Sequence, residues 1–269
     1  MCRLFGYRSN TRDEVHGALA REQNSLRVQS REHKDGWGIA YYPGAEPVAF
    51  RGLAPAYGDP EFERVSAQVA SHAVLAHVRL ASIGRVELVN AHPFVHGRWA
   101  FAHNGTVRDF ARHQAEMEAR IDPALCRLVA GETDSERLFY LFLTALRRRE
   151  LLESATVAGV ASALAEVTRA IAELSDRDDG EKPSSMNFLV TDGRLMVASR
   201  HRRTLFFSER KGLSAHPADP PRPGTALERL VIASEKLEAE HHWHEVPEDG
   251  IVGVDPSLRF FATLPPRSP

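Results

Sequence analysis

Only two cysteines, Cys2 and Cys126, occur among the 269 residues, a scarcity that excludes a disulfide framework and a four-cysteine zinc site. No apolar run approaches the ~20 residues that a membrane helix needs, so no partner membrane is expected. A basic n-region followed by an apolar stretch is also lacking. The chain therefore reads as cytoplasmic, and export by cleavage would in any case remove Cys2. The formal charge is −2, and Arg147-Arg148-Arg149 is the only basic block, so nucleic acid is not an expected partner. That block closes a helical pattern, where cations complement the macrodipole. Neither an internal repeat nor a boundary is visible, and a single domain over 1–269 is the natural count.

What is present is ordinary for a soluble globular protein, with 43% apolar and 26% charged residues. Residues 2–8 read as a strand, and the spacing from Asp13 to Arg31 predicts a helix with Val15, Leu19 and Leu26 facing the core. Strands are expected near 39–42, 47–52, 73–79 and 99–102. The turn-forming pair Asn104-Gly105 should end the last of these. Helical patterns cover about 60–71, 106–120, 133–149 and 155–174. The third opens on Thr133-Asp134-Ser135-Glu136, a capping-box pattern that gives Asp134 a structural task at a helix start. After a polar connection at 175–185 that reads as mobile, the chain turns mostly to short strands, interrupted by a proline-rich loop at 215–224 that reads as surface. Strands, a helical block and strands again imply the α+β class.

Chemistry concentrates at the N-terminus. Cys2 is small enough to permit removal of Met1, which would make it the mature N-terminus and leave a thiol and a free α-amine on one Cα. Such a pair is a nucleophile with a built-in base, because the amine titrates near ~8. Cys2 also fits a plain role as a small residue opening a strand, and Cys126 reads as a packed thiol among apolar neighbours. Thirteen histidines invite a metal-hydrolase reading through His72, His77, His92, His96, His103 and the 241–244 cluster. Pro93 interrupts one pair and no familiar metal signature appears, so no metal is expected.

Three further segments give Cys2 its context: Leu75 to Gly84 around Arg79 and Ser82, Phe101 to Gly105, and Gly131 to Glu136. Together with Cys2 they resemble the signature of the class II glutamine amidotransferases, a branch of the N-terminal-nucleophile hydrolases. Asp35-Gly36-Trp37-Gly38, Asn90 to Phe94, Asn187 to Gly193 and Ile232-Ala233-Ser234-Glu235 are similar to stand-alone members, so the resemblance covers nearly the whole chain. It implies a four-layer αββα sandwich and a cofactor-free amide hydrolysis. Cys2 would attack the γ-amide of glutamine and form a thioester, releasing glutamate and ammonia. Asn104 and Gly105 would cradle the oxyanion. Arg79 would grip the α-carboxylate, Asp134 the α-ammonium, and Ser82 would add a weaker contact. Residues 80–94 match the loop that closes over glutamine, although Leu80 stands where related synthases often carry an aromatic residue. No synthase region follows, so ammonia would need a separate acceptor protein. The alternative is a larger γ-glutamyl substrate, such as a glutathione-like or thiol conjugate.

Overall fold

Side chains alternate along the first strand: Leu4 joins an apolar cluster with Ala102 and Leu189, whereas Phe5 and Tyr7 join another with Leu19 and Phe62. A strand that is apolar on both faces must be covered on both, and this requirement generates the layers. The computed structural model describes residues 2–177, 179–211, 221–237 and 242–263. Its strands are β1 (Arg3–Glu14), β2 (Trp37–Tyr41), β3 (Val48–Gly52), β4 (Ala70–Val78), β5 (Phe94–His96), β6 (Trp99–Thr106) and β7 (Ser185–Thr191). There follow β8 (Met196–Ser199), β9 (Phe206–Lys211), β10 (Leu227–Ala233), β11 (His244–Glu245), β12 (Ile251–Val254) and β13 (Phe260–Thr263). The helices are α1 (Leu26–Gln29), α2 (Pro60–Gln68), α3 (Phe110–Ala119), α4 (Pro123–Cys126), α5 (Asp134–Arg148) and α6 (Val157–Ser175).

One sheet has the order β11-β9-β10-β1-β4-β2-β3 and the other β13-β12-β8-β7-β6-β5. Three cores mark three interfaces: α1 and α2 against the first sheet, sheet against sheet, and α3 to α6 against the second sheet. This is the expected four-layer αββα sandwich. On β6, Ala100 and Ala102 point between the sheets while Phe101 packs on Phe139 of α5, ring centroids 5.3 Å apart. α6 buries Val160, Leu164, Val167 and Ile171, a helical stripe, and begins where Thr156 accepts from the Gly159 N–H. Among the described residues no helix is long and apolar enough to cross a membrane.

The structure departs from the sequence reading in three places. No single helix spans Asp13 to Arg31. β1 continues to Glu14 because Asp13 and Glu14 pair with Ser71 and Ala70 after a register shift. A π-helical turn at Gly17–Arg21 and the Ser25-capped α1 then bury Leu19 and Leu26. Second, Asn104 and Gly105 form no turn. They lie inside β6, paired with Asn187 and Met186 of β7, so strand pairing overrides a local turn preference, and α3 starts only at Phe110. Third, part of the 175–185 connection is tied down, since Arg108 bonds Asp179 and Glu181, and Asp176 accepts from the Ser184 N–H. The 215–224 loop lies largely outside the described residues.

Candidate active site

Antiparallel register places the nucleophile candidate. Arg3 pairs with Val78, so Cys2, one step before β1, stands beside Arg79, one step after β4. The half-buried Cys2 Sγ donates to the Leu80 carbonyl at 3.6 Å. Burial pushes the thiol pKa up, against the lowering effects of the Leu80 bond and the Arg79 charge, with Asp134 adding to the rise. Arg79 and Asp134 are thus both near enough to act on the sulfur. A thiol held in its neutral form needs a base to take its proton as it attacks.

Arg79 is buried, and its guanidinium is already engaged: it donates to the carbonyls of Arg85 at 3.0 Å, Ile83 at 2.9 Å and Gly84 at 3.2 Å. Those three bonds use three of the five donors of the fork. The loop they organise is pinned at both ends. Asp35 accepts from the Ala81 N–H at 2.8 Å, and the Gly36 carbonyl accepts from the Arg79 N–H at 2.8 Å. Asn90 donates to the Arg85 carbonyl and accepts from the Glu132 N–H, while Arg85 grips Glu132 through Nη2 at 2.7 Å. That charge-assisted contact holds the Glu132 carboxyl down to about 2. Gly84 sits at φ +74°, a left-handed conformation that suits glycine.

Asn104 crosses from the second sheet to the first: its Nδ2 lies 3.3 Å from Ser234 Oγ, and the same oxygen accepts from the Leu4 N–H at 3.0 Å. Gly105 leaves no room for a side chain, because a Cβ there would stand 1.8 Å from the Ser185 carbonyl oxygen. Asp134 differs from its expected capping task. Thr133 is the cap of α5 and accepts from the Glu136 N–H, and Glu136 turns back to the N–H groups of Ala130 and Gly131. The Asp134 carboxylate instead accepts from the Val107 N–H at 2.8 Å and the Ser135 N–H at 2.8 Å, joining the end of β6 to the start of α5. Ser82 Oγ lies 3.1 Å from Thr106 Oγ1. All six residues singled out in the sequence therefore gather at one end of the sandwich. Sequence reasoning gave no role to Asp35, Asn90, Glu132 or Ser234. The signal was the presence of all four in the quoted similar segments.

Of the histidines considered for metal binding, His77, His92 and His103 are buried, His72 and His242 are exposed, and His241 lies outside the described residues. His77 and His92 stack with centroids 4.2 Å apart, and His92 abuts Phe94 at 4.7 Å. Burial lowers His77 from 6.5 to about 3, with the nearby Arg79 charge adding to the effect. Among the described residues His201, Glu248 and Asp249 do converge, but His201 Nδ1 is hydrogen-bonded to Asp249 at 2.6 Å and Glu248 accepts from the Arg202 N–H. A pH dependence follows from His77. Its contribution is intact above 6.5, where folded and unfolded imidazoles are both neutral, and is lost as pH falls from 6.5 towards about 3, because only the unfolded chain takes up the proton. One such group steepens the acid loss of stability by up to ~1.4 kcal/mol per pH unit. Urea unfolding of wild type and His77→Gln between pH 7 and 4 should show a shallower slope in the variant; equal slopes would discount the buried neutral imidazole.

Comparison with known proteins adds a second line of observation. Residues 1–217 match the family model for class II glutamine amidotransferases. A probable glutamine amidotransferase of Saccharomyces cerevisiae is 27% identical over 294 residues, covering 94% of this chain and 82% of that protein. A gamma-glutamyl-hercynylcysteine sulfoxide hydrolase of Mycobacterium tuberculosis is 38% identical over 117 residues, 40% of this chain and 50% of that protein. Among solved structures, a glutamine aminotransferase class-II domain protein of Silicibacter pomeroyi superposes with a TM-score of 0.64 at 20% identity, covering 97% of this chain and 98% of that one. At that identity the likeness shows the fold, the sandwich of the N-terminal-nucleophile hydrolases.

Proposed function

Since this chain belongs to the class II glutamine amidotransferases, we propose that it hydrolyses the γ-amide of glutamine through a thioester on Cys2. The observation that carries the reading is the register that sets Cys2 beside Arg79 while Ser234 ties Asn104 to the same strand. After loss of Met1, the α-amine of Cys2 takes the thiol proton as Sγ attacks the γ-carbonyl carbon. Asn104 Nδ2 and the Gly105 N–H stabilise the oxyanion; the C–N bond then breaks and the amine delivers the proton to the departing ammonia. Water attacks the thioester, releasing glutamate and restoring the thiol. Arg79 and Asp134 hold the α-carboxylate and α-ammonium, and Ser82 lies at the rim of that clamp. The steps call for no cofactor. In this reading the ammonia goes to an acceptor protein.

One structural feature favours a second reading. A groove of about 720 Å³ adjoins Ser82 and Thr106, with Ile83 and Phe110 as apolar wall and Arg112 at its rim. Free glutamine would leave it unused, whereas a larger γ-glutamyl compound, of the kind named for the mycobacterial relative, would have somewhere to lie. The same clamp and thioester serve both. Measuring kcat/KM of the isolated chain on glutamine, γ-glutamyl peptides and γ-glutamyl thiol conjugates separates them: a hundredfold preference for a conjugate selects the second, and no turnover of any γ-glutamyl amide removes both.

A further inference from the structure

Ser234 follows β10 and is fully buried. Its peptide N–H donates to the Leu4 carbonyl at 3.1 Å, and its Oγ accepts from the Leu4 N–H at 3.0 Å. The side chain is thereby fixed to the strand that carries Cys2. Across the gap between the sheets the same oxygen lies 3.3 Å from Asn104 Nδ2, and Asn104 Oδ1 is buried with no hydrogen-bond partner.

Donor and acceptor counts argue against this orientation of the amide. A serine hydroxyl has one donor and two acceptor positions, and an amide oxygen is an acceptor only. With nitrogen towards Ser234, Oγ accepts twice, its own proton has no acceptor among the described residues, and a buried carbonyl oxygen stays unpaired. A half-turn of the amide, which exchanges two atoms of nearly equal size, gives the hydroxyl proton an acceptor and Oδ1 a donor, and leaves the two Asn104 N–H bonds to be met by a ligand's oxygen. Ser234 then donates to Oδ1, the Leu4 N–H still donates to Oγ, and both N–H bonds of Asn104 leave on the side away from Ser234. Because Leu4 occupies one lone pair, the hydroxyl proton is steered off that side and towards Asn104.

We propose that Ser234 is a positioning residue that donates to Asn104 Oδ1 and so turns the amide nitrogen towards the carbonyl attacked by Cys2. This rests on the γ-glutamyl hydrolase reading, for which Asn104 Nδ2 is the oxyanion donor. It adds that the donor is selected from the other sheet, by a residue bound to the nucleophile's own strand.

The test compares wild type, Ser234→Ala and Ser234→Thr on the best γ-glutamyl amide. Ser234→Ala should lower kcat about 100-fold with KM within about threefold, the signature of a contact made in the transition state. Binding of the γ-aldehyde of glutamate, whose hemithioacetal needs the same donor, should weaken in parallel. Alkylation of Cys2 by iodoacetamide, which forms no oxyanion, should proceed at the wild-type rate. Ser234→Thr keeps the hydroxyl and should recover most of kcat. Unchanged kcat in Ser234→Ala, or equal losses in turnover and alkylation, would overturn the assignment. Neutron diffraction from deuterated wild-type crystals decides the orientation without any variant: deuterium on the Asn104 atom facing Ser234 defeats the proposal, and deuterium on the opposite atom supports it. That readout stands even if wild type turns over no γ-glutamyl amide, an outcome that would sink the enzymatic reading alone.

Discussion

Cys2→Ala should lose at least about 10⁴-fold in kcat, because no other group can form the thioester and the remaining site supplies only binding and oxyanion stabilisation. Its melting temperature should stay close to wild type. The side chain precedes the first paired residue of β1 and makes one sulfur contact, so its removal leaves the sheet intact. The rival thiol, Cys126, ends α4 against the helical core and offers a clean control. A glutamine-like electrophile should label Cys2 alone, and Cys126→Ala should retain turnover. Protein that keeps Met1 should be as inactive as Cys2→Ala, since its amine sits one residue too far away to serve as base. Turnover by either form, with Cys2 absent or Met1 retained, would remove the mechanism.

Gly105→Ala should be the most damaging methyl group that can be added to the site. A Cβ would stand 1.8 Å from the Ser185 oxygen and 2.5 Å from His103 Nε2, and both belong to packed structure: Ser185 pairs in β7, and His103 is bound to Ser135 and Ser185. The strands must part, at a cost of roughly 3 kcal/mol or more, beyond the usual range for overpacking. Displacing the Gly105 N–H should also cost about 10²–10³ in kcat for whatever protein folds. Thermal melting together with steady-state kinetics measures both, and a variant with wild-type values in each would show that β6 and β7 have slack that their register does not suggest.

These two positions illustrate what a single sequence discloses. The residue types and order of the site were legible because each chemical task tolerates few side chains. Gly105 was recognised, yet as half of a turn, because the pair Asn104-Gly105 carries a strong local preference and its strand partners lie more than 80 residues away, at Met186 and Asn187. Val15, Leu19 and Leu26 were rightly placed in the core while the helix joining them was not, since burial follows composition and the backbone path follows the pairing of Asp13 and Glu14 with β4. Thr133 and Asp134 are neighbours with interchangeable cap chemistry, and only the position of the Val107 N–H assigns their tasks. Ser234 had no legible role at all, because its partner Leu4 is 230 residues distant in sequence.

In the proposed mechanism, where Arg79 receives the substrate carboxylate, the carbonyls gathered on it act as a built-in competitive inhibitor. A carboxylate arriving at the guanidinium meets an occupied cation and must either share the fork or evict Ile83, Gly84 and Arg85 from it. Measured affinity is then a difference between two sets of bonds, smaller than the ion pair alone would give. Neutral amides lacking a free carboxylate have nothing to offer in exchange, so the competition filters ligands by charge as well as by shape. Eviction would also free the Gly84 segment from its inward anchor, so that the chemical group identifying the substrate is the one that unlocks the loop.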